Sequence, residues 1–210
     1  MSRKAFARIA ADRRGVTAIE FAIVAPVMGL LLLGAFDTAH SLYMRAVLQG
    51  VVQKVARDGA LESGTAEAQQ IALDNKVRAS VRAIATNATI TFSRRFFRSY
   101  DAIATPVAEP FTDTNHNGTC DEGEPYQDEN GTNTWDADGG GSGQGNAKDR
   151  TVYTVSVSYP RFFPLYNLIA TTPAARAEAS TTRISATTVL ENQPFSDQSN
   201  YVGIVKYCPL

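Results

Sequence analysis

The sequence predicts an α+β protein: a long N-terminal membrane helix that runs on into a domain with a second helix and a small antiparallel sheet. Three observations carry the prediction. The stretch from Val16 to Phe36 is apolar apart from one charge, Glu20. Apolar residues then recur every three or four positions in two blocks. After residue 88 they alternate with polar residues in three further segments, the period of a strand with one buried face.

Residues 1–15 form a basic arm in which Arg3, Lys4, Arg8, Arg13 and Arg14 outnumber the single acid, Asp12. Positive charge of this kind stays cytoplasmic, so the part beyond the helix should be extracytoplasmic. As a helix, Val16 to Phe36 would span roughly 30 Å, the thickness of a bilayer's hydrocarbon core. Three kinds of segment compete for this stretch. A cleaved secretory signal has a shorter apolar core, and the one A-x-S candidate here, Ala39 to Ser41, is followed by more helix pattern. A plain anchor has no use for Glu20, because a carboxylate facing hydrocarbon costs on the order of a few kcal/mol. Cleavage between Gly15 and Val16 would give Glu20 a partner in an assembly: the new α-amine of a neighbouring subunit, each charge offsetting the other's desolvation.

Beyond Phe36 the helix pattern continues through Met44, Val47 or Leu48, Val51 and Val55. The first helix should therefore reach about Leu61, where Glu62, Ser63 and Gly64 read as a break. Residues 16–62 are the membrane and stalk helix, and residues 63–210 are long enough for one modest domain with its own core. Thr65 is the candidate N-cap of a second helix, Glu67 lies in its first turn, and Leu73, Val77, Val81 and Ile84 form a stripe that should pack on the first.

From Thr89 the pattern turns to strand, with Phe96, Phe97 and Tyr100 adding aromatic bulk; Arg94, Arg95 and Arg98 read as a solvated strand face. Thr151 to Tyr159 alternates Tyr153, Val155, Val157 and Tyr159 against Thr154, Ser156 and Ser158, and Pro160 ends it. RFFPLYNLIATTP is too short to span a bilayer and reads as a packed loop or short helix. A third strand runs from about Ser180 to Leu190, and Tyr201, Val202, Ile204, Val205 and Tyr207 offer an edge strand.

Residues 109–149 form an acidic loop, and no Lys or Arg occurs from Glu109 to Asp138. Asp113, Asn115, Asn117, Gly118 and Glu124 fit the twelve-residue calcium-loop spacing D-x-[DN]-x-[DN]-G-x5-E, with Thr119 offering a carbonyl at position seven and Asp121 standing at position nine. Alternate oxygens at this spacing converge on one hard cation, Gly118 permits the sharp turn, and Glu124 closes the shell. Phe111 and Pro125 lie outside helical patterns, so the loop is expected without the helix pair of an EF-hand. Asp128, Asn130, Thr132, Asp136 and Asp138 repeat the spacing fifteen residues on, but position twelve is Gly139, so this site is incomplete or shares ligands with the first. Calcium is the expected cofactor, as an ordering agent for a loop of this length. GGGSGQG lacks the Lys-Ser or Lys-Thr of a phosphate loop and reads as flexible spacer.

Catalysis and nucleic-acid binding are not expected. The chain has two histidines, His40 and His116, and neither stands in a nucleophile or zinc motif. Net charge is −1 and the basic residues cluster where topology explains them, so neither nucleic acid nor a small-molecule substrate is expected. Cys120 and Cys208 fall in the exported part, where they are either paired in a disulfide or left as two free thiols.

RRG followed by VTAIEF resembles a type IV prepilin processing site: basic residues, Gly, four residues, Glu, then an aromatic. The run from Arg13 to Ala60 is similar to the TadE-like family of the Flp, or tight adherence, pilus system, in which Pro26 and Asp37 also have counterparts. The resemblance implies a pilin-like fold and a processing site at Gly15, Val16, Glu20 and Phe21. It implies cleavage by a prepilin peptidase, placement in a bacterial inner membrane with a periplasmic domain, and contact with other pilins and assembly proteins of an adhesive pilus. The role would be that of a minor pilin or pseudopilin. The alternative is an uncleaved inner-membrane anchor carrying a periplasmic calcium-binding interaction module.

Overall fold

A computed structural model describes residues 15–60, 67–193 and 203–209. The expected helix break at Leu61 to Gly64, the Thr65 cap, the basic arm before Gly15, and Tyr201 and Val202 lie outside the described residues.

Helix α1, Val16–Gly59, is 44 residues long with Pro26 inside it, about 66 Å at the usual rise. Among the described residues it is the one helix long and apolar enough to cross a membrane, with a mean hydropathy of 2.3 over its most apolar window, none of which is buried. Ile19, Phe21, Ile23, Leu31 and Leu32 are exposed. That much bare apolar surface is stable only against lipid or other subunits.

The chain divides into two compact units. The first joins the start of α1, up to Tyr43, with Pro160–Thr182. Here Asp37, where α1 leaves its apolar stretch, accepts a hydrogen bond from Arg161 Nη1 at 2.5 Å. Phe36 meets Phe163 edge to face at 5.7 Å between centroids, and His40 meets Phe162 at 4.6 Å. Two short helices complete this unit: α3, Tyr166–Ile169, and α4, Pro173–Ala179, the latter capped by Thr172, whose hydroxyl accepts the Ala175 N–H at 3.2 Å. RFFPLYNLIATTP thus forms a turn and one short helix, with Phe162 and Leu168 exposed.

The second unit, Met44–Tyr159 and Arg183 onward, holds the core. Helix α2, Glu67–Arg82, buries Leu73, Val77 and Val81 against Met44, Leu48, Val52, Val55 and Ala56 of α1. Leu48 and Val52 carry the α1 stripe, with Val51 partly buried beside them. The sheet has the order β3-β1-β4-β5: β1 is Thr89–Phe97, β3 Gly141–Ser142, β4 Arg150–Pro160 and β5 Thr181–Glu191. β1 and β4 pair antiparallel from Thr89↔Ser158 to Phe97↔Arg150. That register turns Tyr153, Val155, Val157 and Tyr159, with Ile184, Ala186 and Leu190 of β5, onto the helices. Each such side chain contributes about 1.5–3 kcal/mol when fully buried.

Three expectations change. The arginines in and just past β1 are not a solvated face. Arg94 forks onto Asp74 of α2 at 2.6 and 3.0 Å with its guanidinium 4.4 Å over the Tyr153 ring, Arg95 pairs with Asp138, and Arg98 donates to the Glu129 carbonyl. GGGSGQG is not spacer, because Gly141 and Ser142 are the edge strand β3, paired with Phe96 and Arg95. A Cβ at Gly141 would lie 2.3 Å from the Phe96 ring and one at Gly140 2.5 Å from the Phe97 ring, so the glycines let the strand close over two buried aromatics. Finally, the tail strand β6, Ile204–Tyr207, joins β2, Pro125–Asp128, inside the acidic loop as a separate two-stranded antiparallel sheet. Pro125 and Pro110 bracket that sheet, where Gln127 N–H donates to the Pro110 carbonyl at 2.8 Å.

Candidate functional site

Gly15, Val16, Glu20 and Phe21 lie exposed at the start of α1. The acidic loop is the other candidate region, and its ordering begins with carboxylates that collect backbone N–H groups. Asp113 accepts the N–H of Asn117 at 3.2 Å and of Gly118 at 2.8 Å. Asn115 Oδ1 accepts Asn117 N–H at 3.1 Å, while the amides of Asn115 and Asn117 both donate to Asp121 Oδ2 at 2.6 Å. Thr119 donates its N–H and hydroxyl to Asn117 Oδ1 at 2.8 and 2.6 Å. Glu124 closes the turn: its carboxylate takes Thr114 N–H and hydroxyl on one oxygen and Asp121 N–H on the other, at 2.6 to 3.0 Å. Those hydrogen bonds, the Thr114 hydroxyl first, hold Glu124 below the ordinary carboxylate pKa. These hydrogen bonds link Asp113, Asn115, Asn117, Thr119, Asp121 and Glu124 into one turn, flanked by strand and bridge rather than by helices.

The second loop repeats this pattern. Asp128 accepts Gly131 N–H at 2.7 Å, Thr132 N–H at 3.1 Å and Asn133 N–H at 3.0 Å. Asn130 Oδ1 accepts Thr132 N–H at 3.0 Å, and Asn130 Nδ2 and Thr132 Oγ1 both donate to Asp136 Oδ2 at 2.9 and 2.7 Å. Backbone φ is positive at His116 and Gly118 in the first loop and, fifteen positions on, at Gly131 and Asn133 in the second. Residues 116 and 133 are tolerated there because His and Asn enter this region more readily than other side chains.

Asp138 does not join the second loop, because it is spent on Arg95. In its place stands a residue that the spacing template missed, Glu109. Its carboxylate accepts Glu129 N–H at 2.9 Å and Asp136 N–H at 3.0 Å, and its own N–H donates to the Asp136 carbonyl at 3.0 Å. Glu124 makes the matching bonds to Thr114, Asp121 and the Asp121 carbonyl. The available signal was a longer repeat: Glu-Pro-Phe-x-Asp-x-Asn from Glu109 recurs as Glu-Pro-Tyr-x-Asp-x-Asn from Glu124. Glu109 is 2 % exposed, and burial raises its pKa against the pull of the Asp136 and Glu129 N–H groups, with Asp136 and Asp128 adding like charge.

One tail segment anchors both loops. Cys120 of the first is disulfide-bonded to Cys208, with Cα atoms 5.9 Å apart, so the paired alternative is the one found. Lys206 of β6 pairs with Asp128 of the second at 3.0 Å and also donates to Asn133 Oδ1. Burial would raise Asp128, but Lys206 and the N–H groups of Asn133 and Gly131 outweigh it and leave the pKa lowered. Among the described residues, no group of three His, Cys, Asp or Glu side chains is gathered as a metal-holding cluster. The loop carboxylates are engaged by N–H groups, and a cation would draw oxygens away from them.

Neither a curated protein nor a solved structure matches the chain. A family match does exist, and it falls on the membrane-type helix: residues 15–57 match the family model of TadE-like proteins, making that part of the chain similar to components of Tad pilus systems.

Proposed function

We propose that the chain is a TadE-like minor pilin or pseudopilin, a structural or assembly component of a tight-adherence pilus and not an enzyme. The observation that carries this is the position of the family match, which begins at Gly15 and spans the helix through Arg57. In this reading a prepilin peptidase cuts between Gly15 and Val16, and the apolar half of α1 stays in the bacterial inner membrane beside other pilins. Glu20, exposed in the single chain, takes the α-amine of a neighbour as its partner. The α+β domain stands in the periplasm and makes the contacts outside the membrane. Calcium acts as a folding cofactor of the acidic loop, held by Asp113, Asn115, Asn117, Thr119, Asp121 and Glu124, whose hard oxygens suit it. The acidic loops themselves favour a second reading, an uncleaved anchored calcium-binding module with a periplasmic partner.

The N-terminus separates the two. The protein is recovered from membranes of cells with and without the cognate peptidase, and its N-terminal sequence is read. The pilin reading expects a start at Val16 that is lost without the peptidase. A start at Met1 or Ser2 in both cells would overturn it and leave the anchored module.

A further inference from the structure

We infer that the acidic region holds two equivalent cation loops, and that Glu109, not Asp138, closes the second around a hard divalent cation such as calcium. The inference rests on the calcium reading of the first loop and extends it to a second ion. Glu109 stands to Asp128, Asn130 and Asp136 as Glu124 stands to Asp113, Asn115 and Asp121, through three matched hydrogen bonds. The closing carboxylate of the second loop therefore comes from before the first loop, so the second loop, unlike the first, is not a self-contained twelve-residue unit.

A separate observation points to a ligand. Tyr126 is 1 % exposed, and its hydroxyl has no hydrogen-bond partner among the described residues. The charged groups that act on that phenol are Asp128, Glu109 and Asp136, the three carboxylates of the second loop. A buried hydroxyl bonded to nothing is costly. Calcium keeps water in its shell when protein oxygens fall short, and such a water would give the hydroxyl its partner. The cationic group now serving Asp128 is the Lys206 ammonium at 3.0 Å, so a metal there would compete with it.

The chain carries its own reporter, because its one tryptophan, Trp135, adjoins Asp136 and donates its indole N–H to the Glu109 carbonyl at 2.9 Å. The full chain in detergent is titrated with terbium while Trp135 is excited, then back-titrated with calcium, and calcium binding is measured separately by calorimetry. Sensitised emission displaced by calcium is expected. Glu109→Gln should weaken it by at least about tenfold, the scale on which even outer partners of metal ligands act. Asp138→Asn should leave it unchanged, and Lys206→Met should strengthen it, a gain that a merely misfolded loop would not give. Emission indifferent to Glu109→Gln, or lost equally in Asp138→Asn, would overturn the inference. One calcium ion that is lost in Glu124→Gln and untouched in Glu109→Gln would overturn the second loop alone, whereas no calcium binding in the unaltered chain would remove the calcium reading altogether.

Discussion

The loops at residues 113–124 and 128–136 share a hydrogen-bond pattern but not an environment. In the first, Asn115 and Asn117 are exposed; in the second, Asp128 and Asn130 are each 3 % exposed. The first is tied to the tail by a covalent bond, Cys120 to Cys208, and the second by an ion pair, Lys206 to Asp128. Their closing glutamates differ in sign: hydrogen bonds lower Glu124, while burial raises Glu109. Geometry decides which atoms meet, and burial decides what a charge costs there. Both closing glutamates are buried, Glu124 at 3 % and Glu109 at 2 % exposed, but only the second loop also buries its leading Asp-x-Asn pair, Asp128 and Asn130.

The largest effect should come from cutting the covalent tie. Cys120→Ser with Cys208→Ser removes a crosslink between residues 88 apart, which corresponds to about 4–5 kcal/mol in the chain-entropy account. Urea denaturation measures the loss, and hydrogen exchange should show the first loop losing more protection than the second. Lys206→Met breaks the other tie. It should cost about 2 kcal/mol, the scale of a hydrogen bond to a charged group, and added calcium should restore that stability. Without added metal, Glu124→Gln should destabilise more than Glu109→Gln. The latter is expected to cost under about 1 kcal/mol, because relief of the like charges of Asp128 and Asp136 offsets the lost acceptor; equal losses would erase the contrast between the loops.

The smallest effect is on pH dependence, and the two glutamates should act oppositely. Glu109 is raised from 4.5 in the folded chain, so above 4.5 the folded state holds the extra proton and stability falls as pH climbs through the raised value. Glu124 is lowered from 4.5, so its stabilisation is present above 4.5 and is lost as pH falls through the lowered value. Denaturation at a series of pH values should show Glu109→Gln flattening the first slope and Glu124→Gln the second.

Local periodicity made much of the fold legible. Leu73, Val77 and Val81 announced the buried side of α2, and Tyr153, Val155, Val157 and Tyr159 announced that of β4, because a period of four or two needs no distant partner to be read. The turn of the first loop was legible for the same reason, its Asp, Asn and Glu side chains falling within twelve consecutive residues. What escaped depended on distant neighbours. Arg94 looks like a surface residue until Asp74 and the Tyr153 ring are brought to it. Gly140 and Gly141 look like spacer until Phe96 and Phe97 lie against them. Glu109 escaped because a template read forward from Asp128 arrives at Gly139, whereas the chain supplies the carboxylate from nineteen residues earlier.

One measurement addresses both ends of the molecule at once: native mass spectrometry of the protein extracted from membranes under calcium-replete conditions. The expected species begins at Val16 and carries two calcium ions, falling to one in Glu109→Gln. A chain that still begins at Met1 or Ser2 and binds no calcium would contradict both the pilin assignment and the paired loops.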